Sequence, residues 1–284
     1  MKLANNIEIP DIGLGVYKIS EVEMNEIILK AYNYGYRLFD TAQMYKNEEY
    51  LGNAITNNGI DRDEIFIISK VDNCNQGYGN TINSFEESLK KLRTTYLDSF
   101  LIHWPGQNFE RMLDTWKAME YLYEEGRVKS IGVCNFEKSQ LKVLIENCKI
   151  VPMINQIEHS PIIHNEDLIT FCNSNDIKIM AWGPLLRGRL ENESISVMAS
   201  KYGKTPAQLL LRWNIQQGII PIPKTKNEKR LMENISVFDF NISSEDIKIL
   251  NGMNENRRSS HDPLTFDFWF CNLNILGYQI LQKY

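Results

Sequence analysis

The chain has 284 residues, 43% of them apolar and 24% charged, proportions that exclude disorder, collagen and coiled coil as the main architecture. Lys and Arg number 31 against 36 Asp and Glu, a net charge of −5 without any basic block, so nucleic acid is not an expected partner. No apolar run of about 18 residues is present to span a membrane, and residues 1–6 carry no apolar stretch of signal-peptide length.

Eight short apolar runs occur in order, at residues 12–17, 36–40, 65–70, 99–103, 130–134, 153–157, 178–182 and 219–222. Each has the length of a strand buried on both faces. Helical spacing separates them: Val22, Met24, Ile27, Ile28 and Ala31; then Phe85, Leu89 and Leu92; then Leu113, Trp116, Met119 and Tyr123. Further helices are predicted over 139–147, 166–175, 205–217 and 228–236. Thr205-Pro206 supplies an N-cap hydroxyl and a proline for the first helical position. Gly35, Gly126 and Gly218 follow helical patterns, where a left-handed residue ends a helix. Strands alternating with helices favour parallel pairing through right-handed crossovers. Eight of them predict an α/β fold, a closed (β/α)8 (TIM) barrel of one domain over 1–284, with a doubly wound sheet as the alternative. Residues 259–284, rich in aromatics (Phe266, Phe268, Trp269, Phe270), are expected to form a tail folded over one end of the barrel. The five cysteines (Cys74, Cys134, Cys148, Cys172, Cys271) are scattered without CxxC spacing. Neither a disulfide framework nor a zinc site is expected, and a cytoplasmic, reducing setting is. The acidic surface gives no sign of assembly, so a monomer is expected.

In such a barrel the active site lies at the C-terminal strand ends. The runs end at or lead to Asp40, Lys70, His103, Asn135, Gln156, Trp182 and Lys224. Asp40 and Lys70 can form a buried ion pair. Tyr45 follows Asp40 by five residues, and a phenol near an ammonium is expected to become more acidic and to serve as a proton donor. His103 is placed to orient a substrate oxygen. Each of these residues alone has an ordinary structural explanation; their convergence on one rim carries the argument. Gly13-Leu14-Gly15 begins like a dinucleotide fingerprint, but position 18 is Lys18, so a Rossmann site is not supported. Lys224-Thr225-Lys226 and Lys229-Arg230 precede a helix after the last strand, where barrels often hold phosphate. His159 and His164 have no carboxylate at ligand spacing, so no metal site is expected.

Together these stretches resemble a family. Residues 35–48 (GYRLFDTAQMYKNE), continuing to Gly52, look like the first signature of the aldo-keto reductases. Ile102-His103-Trp104-Pro105, residues 131–136 (IGVCNF), Asn155-Gln156 and Ile222-Pro223-Lys224-Thr225 match further motifs in order. The likeness runs from about Gly13 to Arg258 and is closest to bacterial members with a short segment after His103. It implies NADPH/NADP+ as cofactor and reduction of small aldehydes or ketones to alcohols. It also implies a catalytic set of Asp40, Tyr45, Lys70 and His103, with Tyr45 as the acid. Asn135 and Gln156 would hold the carboxamide, Trp182 would stack on the nicotinamide, and residues from Gly183 to Leu186, Leu185 among them, would pass along the pyrophosphate. Lys224, Thr225 and Arg230 would hold the 2′-phosphate, with Glu233 and Asn234 near the adenine. Tyr17, Asp72 and Trp104 would wall the substrate pocket. Cys134 stands where the family usually has serine, and Tyr17 and Asp72 stand where many members have tryptophan. A cofactor-binding regulatory subunit and a metal-dependent hydrolase are the alternatives from other classes.

Overall fold

The computed structural model describes residues 1–268 and Cys271. Its eight strands are β1 (Leu14–Gly15), β2 (Leu38–Asp40), β3 (Phe66–Val71), β4 (Ser99–Ile102), β5 (Ile131–Cys134), β6 (Ile154–Glu158), β7 (Lys178–Trp182) and β8 (Ile220–Ile222). Each pairs in parallel with the next. The ring closes where the amides of Gly13 and Gly15 donate to the carbonyls of Pro221 and Pro223, at 3.0 and 3.1 Å. The expected (β/α)8 barrel is therefore the fold.

The helices are α1 (Glu21–Asn33), α2 (Glu48–Asn57), α3 (Tyr78–Leu92), α4 (Phe109–Glu124), α5 (Lys138–Asn147), α6 (Glu166–Ser174), α7 (Glu193–Lys201), α8 (Pro206–Gln216), α9 (Glu228–Ile235) and α10 (Ser244–Asn251). Thr205 caps α8 as its sequence predicts, in a reciprocal box with Gln208. Gly35, Gly126 and Gly218 all take positive φ after their helices. Helices α2, α7 and α10 are additional to those that spacing suggests. They span ten, nine and eight residues, and such short stripes of buried residues give a weak periodic signal.

Strand alternation sorts the side chains into two populations. One points outward against the helices, for example Phe39, Ile67, Phe100 and Val133. The other fills the barrel: Leu38, Phe66, Ile68, Leu101, Ile154, Met180, Ile220 and Ile222. An antiparallel bridge between Lys2 and Glu8 brings Leu3 and Ile9 into this inner cluster, an element that spacing does not suggest. Glycine is required where the barrel is tight. A Cβ on Gly13 would lie 2.2 Å from Leu38 Cδ2 and 2.7 Å from Ile222 Cδ1. Gly13 therefore serves close packing, in keeping with the absence of a Rossmann fingerprint.

Gly52 presents the same constraint against rigid atoms. Its Cβ would meet Lys91 O at 2.4 Å and Leu92 C at 2.7 Å, both backbone at the end of α3. Gly52→Ala is expected to destabilise the protein by about 1–3 kcal/mol through overpacking, read as a lower urea midpoint with an unchanged slope.

Candidate active site

The inward-pointing alternation that gives Leu38, Ile68, Leu101, Ile154 and Met180 at mid-barrel gives Asp40, Lys70, His103, Gln156 and Trp182 two residues further on, at the C-terminal rim. These side chains meet. Lys70 is fully buried, and its Nζ donates to both carboxylate oxygens of Asp40 at 2.7 and 2.8 Å and to the carbonyl of Thr41 at 2.9 Å. Gln156 Nε2 donates to the same carboxylate at 2.7 Å. Burial opposes the ammonium's charge, but Asp40, with smaller help from Tyr45 and Cys134, raises its pKa above the usual lysine value. Lys70 is therefore a cation at neutral pH.

Tyr45 closes a 3-10 turn, Gln43–Tyr45. Its ring centroid lies 5.1 Å from Lys70 Nζ and 5.5 Å from the His103 ring, in a T-shaped arrangement. The expected acidification of the phenol is reversed. Burial is the larger effect and pushes Tyr45 above the ordinary phenol value, while Lys70 acts against it. The hydroxyl is therefore protonated at neutral pH, and Lys70 lessens the cost of its ionisation. His103 is buried, and desolvation, helped by the Lys70 cation, drives it well below the usual imidazole pKa. It is neutral, and its Nδ1 is a buried polar atom without a hydrogen-bond partner among the described residues.

On the neighbouring rim, Trp182 Nε1 donates to Asn135 Oδ1 at 2.8 Å, and Asn135 Nδ2 donates to the carbonyl of His103 at 3.0 Å. Asn135 takes a left-handed φ of 64°, a conformation asparagine tolerates better than most residues. Cys134 Sγ lies 3.2 Å from Asn135 Nδ2 and 3.7 Å from Gln156 Oε1, and burial raises its thiol pKa. Gly183 turns the chain with a φ of 66°. Leu185 packs between two apolar clusters.

The basic segment leads into α9, whose N-cap Asn227 accepts from the Arg230 amide. Thr225 is buried, and its Oγ1 accepts from the Asn227 amide at 3.0 Å. Lys226 pairs with Glu23 at 2.7 Å. Among the described residues Lys224 and Arg230 have no ion-pair partner. Partial burial, with the Lys226 and Lys18 cations, lowers the Lys224 pKa, as expected of a cation crowded by like charge. Asn234 is buried, whereas Glu233 accepts from the Thr205 hydroxyl at the start of α8.

At the outer rim, the exposed Tyr17 ring stands 4.7 Å from that of Tyr45. Trp104 is buried beneath the described part of the tail, with Phe266 at 4.8 Å and His261 at 6.1 Å. Asp72 is only 9% exposed, and its carboxylate caps its own turn, accepting from the Cys74 amide at 3.0 Å. Burial raises its pKa. Of the tail, residues 269–270 and 272–284, including Trp269 and Phe270, lie outside the described residues. His159 and His164 do meet, Nε2 to Nδ1 at 2.9 Å, but their further company is Asn214 and the stacked Trp213. Among the described residues no group of three or more His, Cys, Asp or Glu is placed to hold a metal. No helix there is long and apolar enough to cross a membrane.

Sequence reasoning missed three features of this rim. Cys74 and Cys271 form a disulfide, contrary to the expectation from cysteine spacing; a pairing between cysteines 197 residues apart leaves no local signature. Gln43, inside the signature stretch, accepts from the Asp72 amide and from Asn75 Nδ2, both at 2.9 Å, tying the Tyr45 turn to the loop after β3. Glu158, at the end of β6, accepts from the amide and hydroxyl of Ser259 and so fixes the start of the tail. Only the aromatic richness of the tail hinted at its packing on Trp104.

The Aldo/keto reductase family model matches residues 11–255. The glyoxal reductase of Bacillus subtilis (strain 168) is 42% identical over 265 residues, covering 93% of this chain and 95% of that protein. An aldo-keto reductase from a Medee basin deep-sea metagenome library superposes with a TM-score of 0.91 at 39% identity, covering 94% of this chain and all of its own. A mutant of Gox0644 in complex with NADPH gives 0.90 at 40% identity, covering 94% and 98%.

Three buried histidines, His103, His159 and His164, are held below the usual imidazole pKa by desolvation and make stability depend on pH. Desolvation lowers His159 to about 3. Below the free imidazole pKa of about 6.5 the unfolded chain takes up protons that these rings refuse, so stability falls as pH falls. From pH 6.5 to 5 the loss approaches about 1.4 kcal/mol per pH unit for each histidine that stays neutral over that window. In urea titrations across that window, His103→Gln is expected to show a slope smaller by about one proton.

Proposed function

The chain belongs to the aldo/keto reductase family, and on that premise we propose that it uses NADPH to reduce small aldehydes or ketones to alcohols. The observation that carries the proposal is the fully buried Lys70 cation, held by Asp40 and facing the Tyr45 phenol. An ammonium in so dry a site is of use where negative charge develops beside it.

The residues present fit a phosphorylated nicotinamide cofactor. Lys224 and Arg230 are cations without ion-pair partners among the described residues, next to a helix N-terminus that favours anions. Lys as a point charge and Arg as a fork suit a phosphate monoester. Thr225, Asn234 and Glu233 lie along the same segment for contacts to phosphate and adenine. Gly183 and Leu185, which follow Trp182 at the end of β7, would pass along the pyrophosphate. Trp182 offers a partly exposed indole face, and Asn135 and Gln156 offer amides for a carboxamide. Both amides are engaged here with Trp182, His103 and Asp40, so binding exchanges some of these bonds for cofactor contacts. When bound, the nicotinamide supplies hydride to the carbonyl carbon.

Every other task falls to the protein. Tyr45 donates its proton to the carbonyl oxygen as charge builds there. Lys70 stabilises the phenolate that remains, and Asp40 keeps Lys70 in place. Neutral His103 donates a hydrogen bond to the same oxygen and orients it, without competing as an acid. Because burial raises the Tyr45 pKa, the acid stays loaded through neutral pH. Tyr17, Asp72 and Trp104 border the substrate space, where the aromatic rings exclude water. The name of the B. subtilis relative, glyoxal reductase, favours small aldehydes as substrates.

Tyr45→Phe is expected to lower kcat for a simple aldehyde by about 10²–10⁴, while NADPH affinity, followed by quenching of tryptophan emission, stays the same. Activity equal to wild type would overturn the role of Tyr45. Lys224→Ala combined with Arg230→Ala is expected to raise the KM for NADPH by about 10²- to 10⁴-fold, with little change for NADH, since each of the two lost charged hydrogen bonds costs about 1.5–3 kcal/mol. An equal loss with both cofactors would remove the 2′-phosphate assignment.

A further inference from the structure

The loop after β3 and the C-terminal segment are joined by the Cys74–Cys271 disulfide, with Cα atoms 5.0 Å apart. On the barrel side this loop is tied to both working edges of the site. Gln43 binds it to the Tyr45 turn, and Gln76 Nε2 donates to the carbonyl of Trp104 at 2.7 Å. On the tail side, the Cys271 amide donates to the carbonyl of Phe268 at 2.8 Å. Phe268 is buried with its ring directly over Gly106, where a Cβ would come within 2.5 Å of Cζ. Phe266 packs edge-on against Phe268 and against Trp104, at 5.9 and 4.8 Å between centroids. The bridge thus fastens an aromatic layer to the substrate wall.

We propose that Cys74–Cys271 is a reversible thiol–disulfide modification site that latches the C-terminal aromatic layer onto Trp104 and so sets the affinity for the carbonyl substrate. Its effect on turnover rests on the reductase reading given above; its chemistry does not.

The surroundings suit exchange. The two cysteines line a cleft with Asn108, Arg111, Asp267 and Phe268, which gives a small thiol an approach to the bridge. Arg111 donates to the carbonyls of Cys74 and Gln76, at 3.1 and 3.2 Å, which fixes a cation beside Cys74 and favours its thiolate. A lower thiol pKa makes a better leaving group. A dithiol reductant therefore attacks Cys271 Sγ, forms a mixed disulfide and expels the Cys74 thiolate. Its second thiol then displaces the Cys271 thiolate and closes the reductant into a cyclic disulfide. The protein gains two electrons and two protons, and the dithiol loses them. A disulfide oxidant such as oxidised glutathione runs the sequence backwards. The remaining cysteines are poor competitors: Cys134 and Cys172 are buried, Cys148 is half-buried, and burial raises all three thiols.

The test uses the full chain saturated with NADPH, prepared once with oxidised glutathione and once with dithiothreitol. Thiol titration in denaturant is expected to find three free thiols in the first form, those of Cys134, Cys148 and Cys172, and all five in the second. Peptide mass spectrometry is expected to find the Cys74 and Cys271 peptides linked only in the first. Reduction should speed hydrogen exchange at residues 262–268 and raise the KM for a small apolar aldehyde at least about threefold through loss of wall contacts, with kcat within about twofold. Cys74→Ser and Cys271→Ser should each show the reduced-form KM and ignore dithiothreitol. Five free thiols after oxidation, or exchange and KM identical in the two forms, would overturn the latch. If no carbonyl is turned over, the reductase reading fails, while thiol count and exchange still decide for or against the latch.

Discussion

A lysine ammonium buried without a counter-charge would lose its proton or open the fold around itself. At the end of β3 it does neither, because β2 runs alongside and delivers Asp40 to the same layer of the barrel. The parallel register, with Asp40 opposite Ile68 and Lys70 two residues beyond, makes that meeting unavoidable. Removing either partner would strand the other's charge and cost about 3–5 kcal/mol. The pair is thus an anchor of the rim and a fixed positive pole within it.

The rest of the site is arranged around that pole. Lys70 helps to hold His103 neutral, opposes the effect of burial on Tyr45, and shares the carboxylate of Asp40 with Gln156. Through Cys134 Sγ, Gln156 and Asn135 carry the network across to Trp182, so the residues proposed to act on the substrate and those proposed to hold the nicotinamide belong to one hydrogen-bonded layer of side chains. The segment proposed to hold the 2′-phosphate lies apart from it, after β8. Chemistry and cofactor anchoring can therefore be altered separately.

The barrel was legible because its signals are periodic and local. Runs of four to six apolar residues separated by helical spacing leave few solutions other than parallel strands with crossovers. Period-two alternation, applied to Leu38, Ile68, Leu101, Ile154 and Met180, also predicts which residues point inward at the rim. What the sequence concealed depends on three-dimensional company. The Tyr45 pKa is a balance of burial against Lys70, and only the depth at which the ring lies in the rim decides that burial wins. Cys74 and Cys271 become partners through the path of the tail, and the capping role of Asp72 arises through one bond to Cys74. The N-terminal bridge that brings Leu3 and Ile9 into the barrel, and the short helices α2, α7 and α10, are set by packing more than by propensity.

A crystal structure with NADP+ and a small carbonyl compound tests the central claim most directly. The account places the carbonyl oxygen within hydrogen-bonding reach, about 2.6–3.2 Å, of both the Tyr45 hydroxyl and a His103 ring nitrogen, with Lys70 still bound to Asp40. A carbonyl oxygen bound elsewhere, or a Tyr45 hydroxyl turned away from it while Lys70 pairs with another group, would contradict the account.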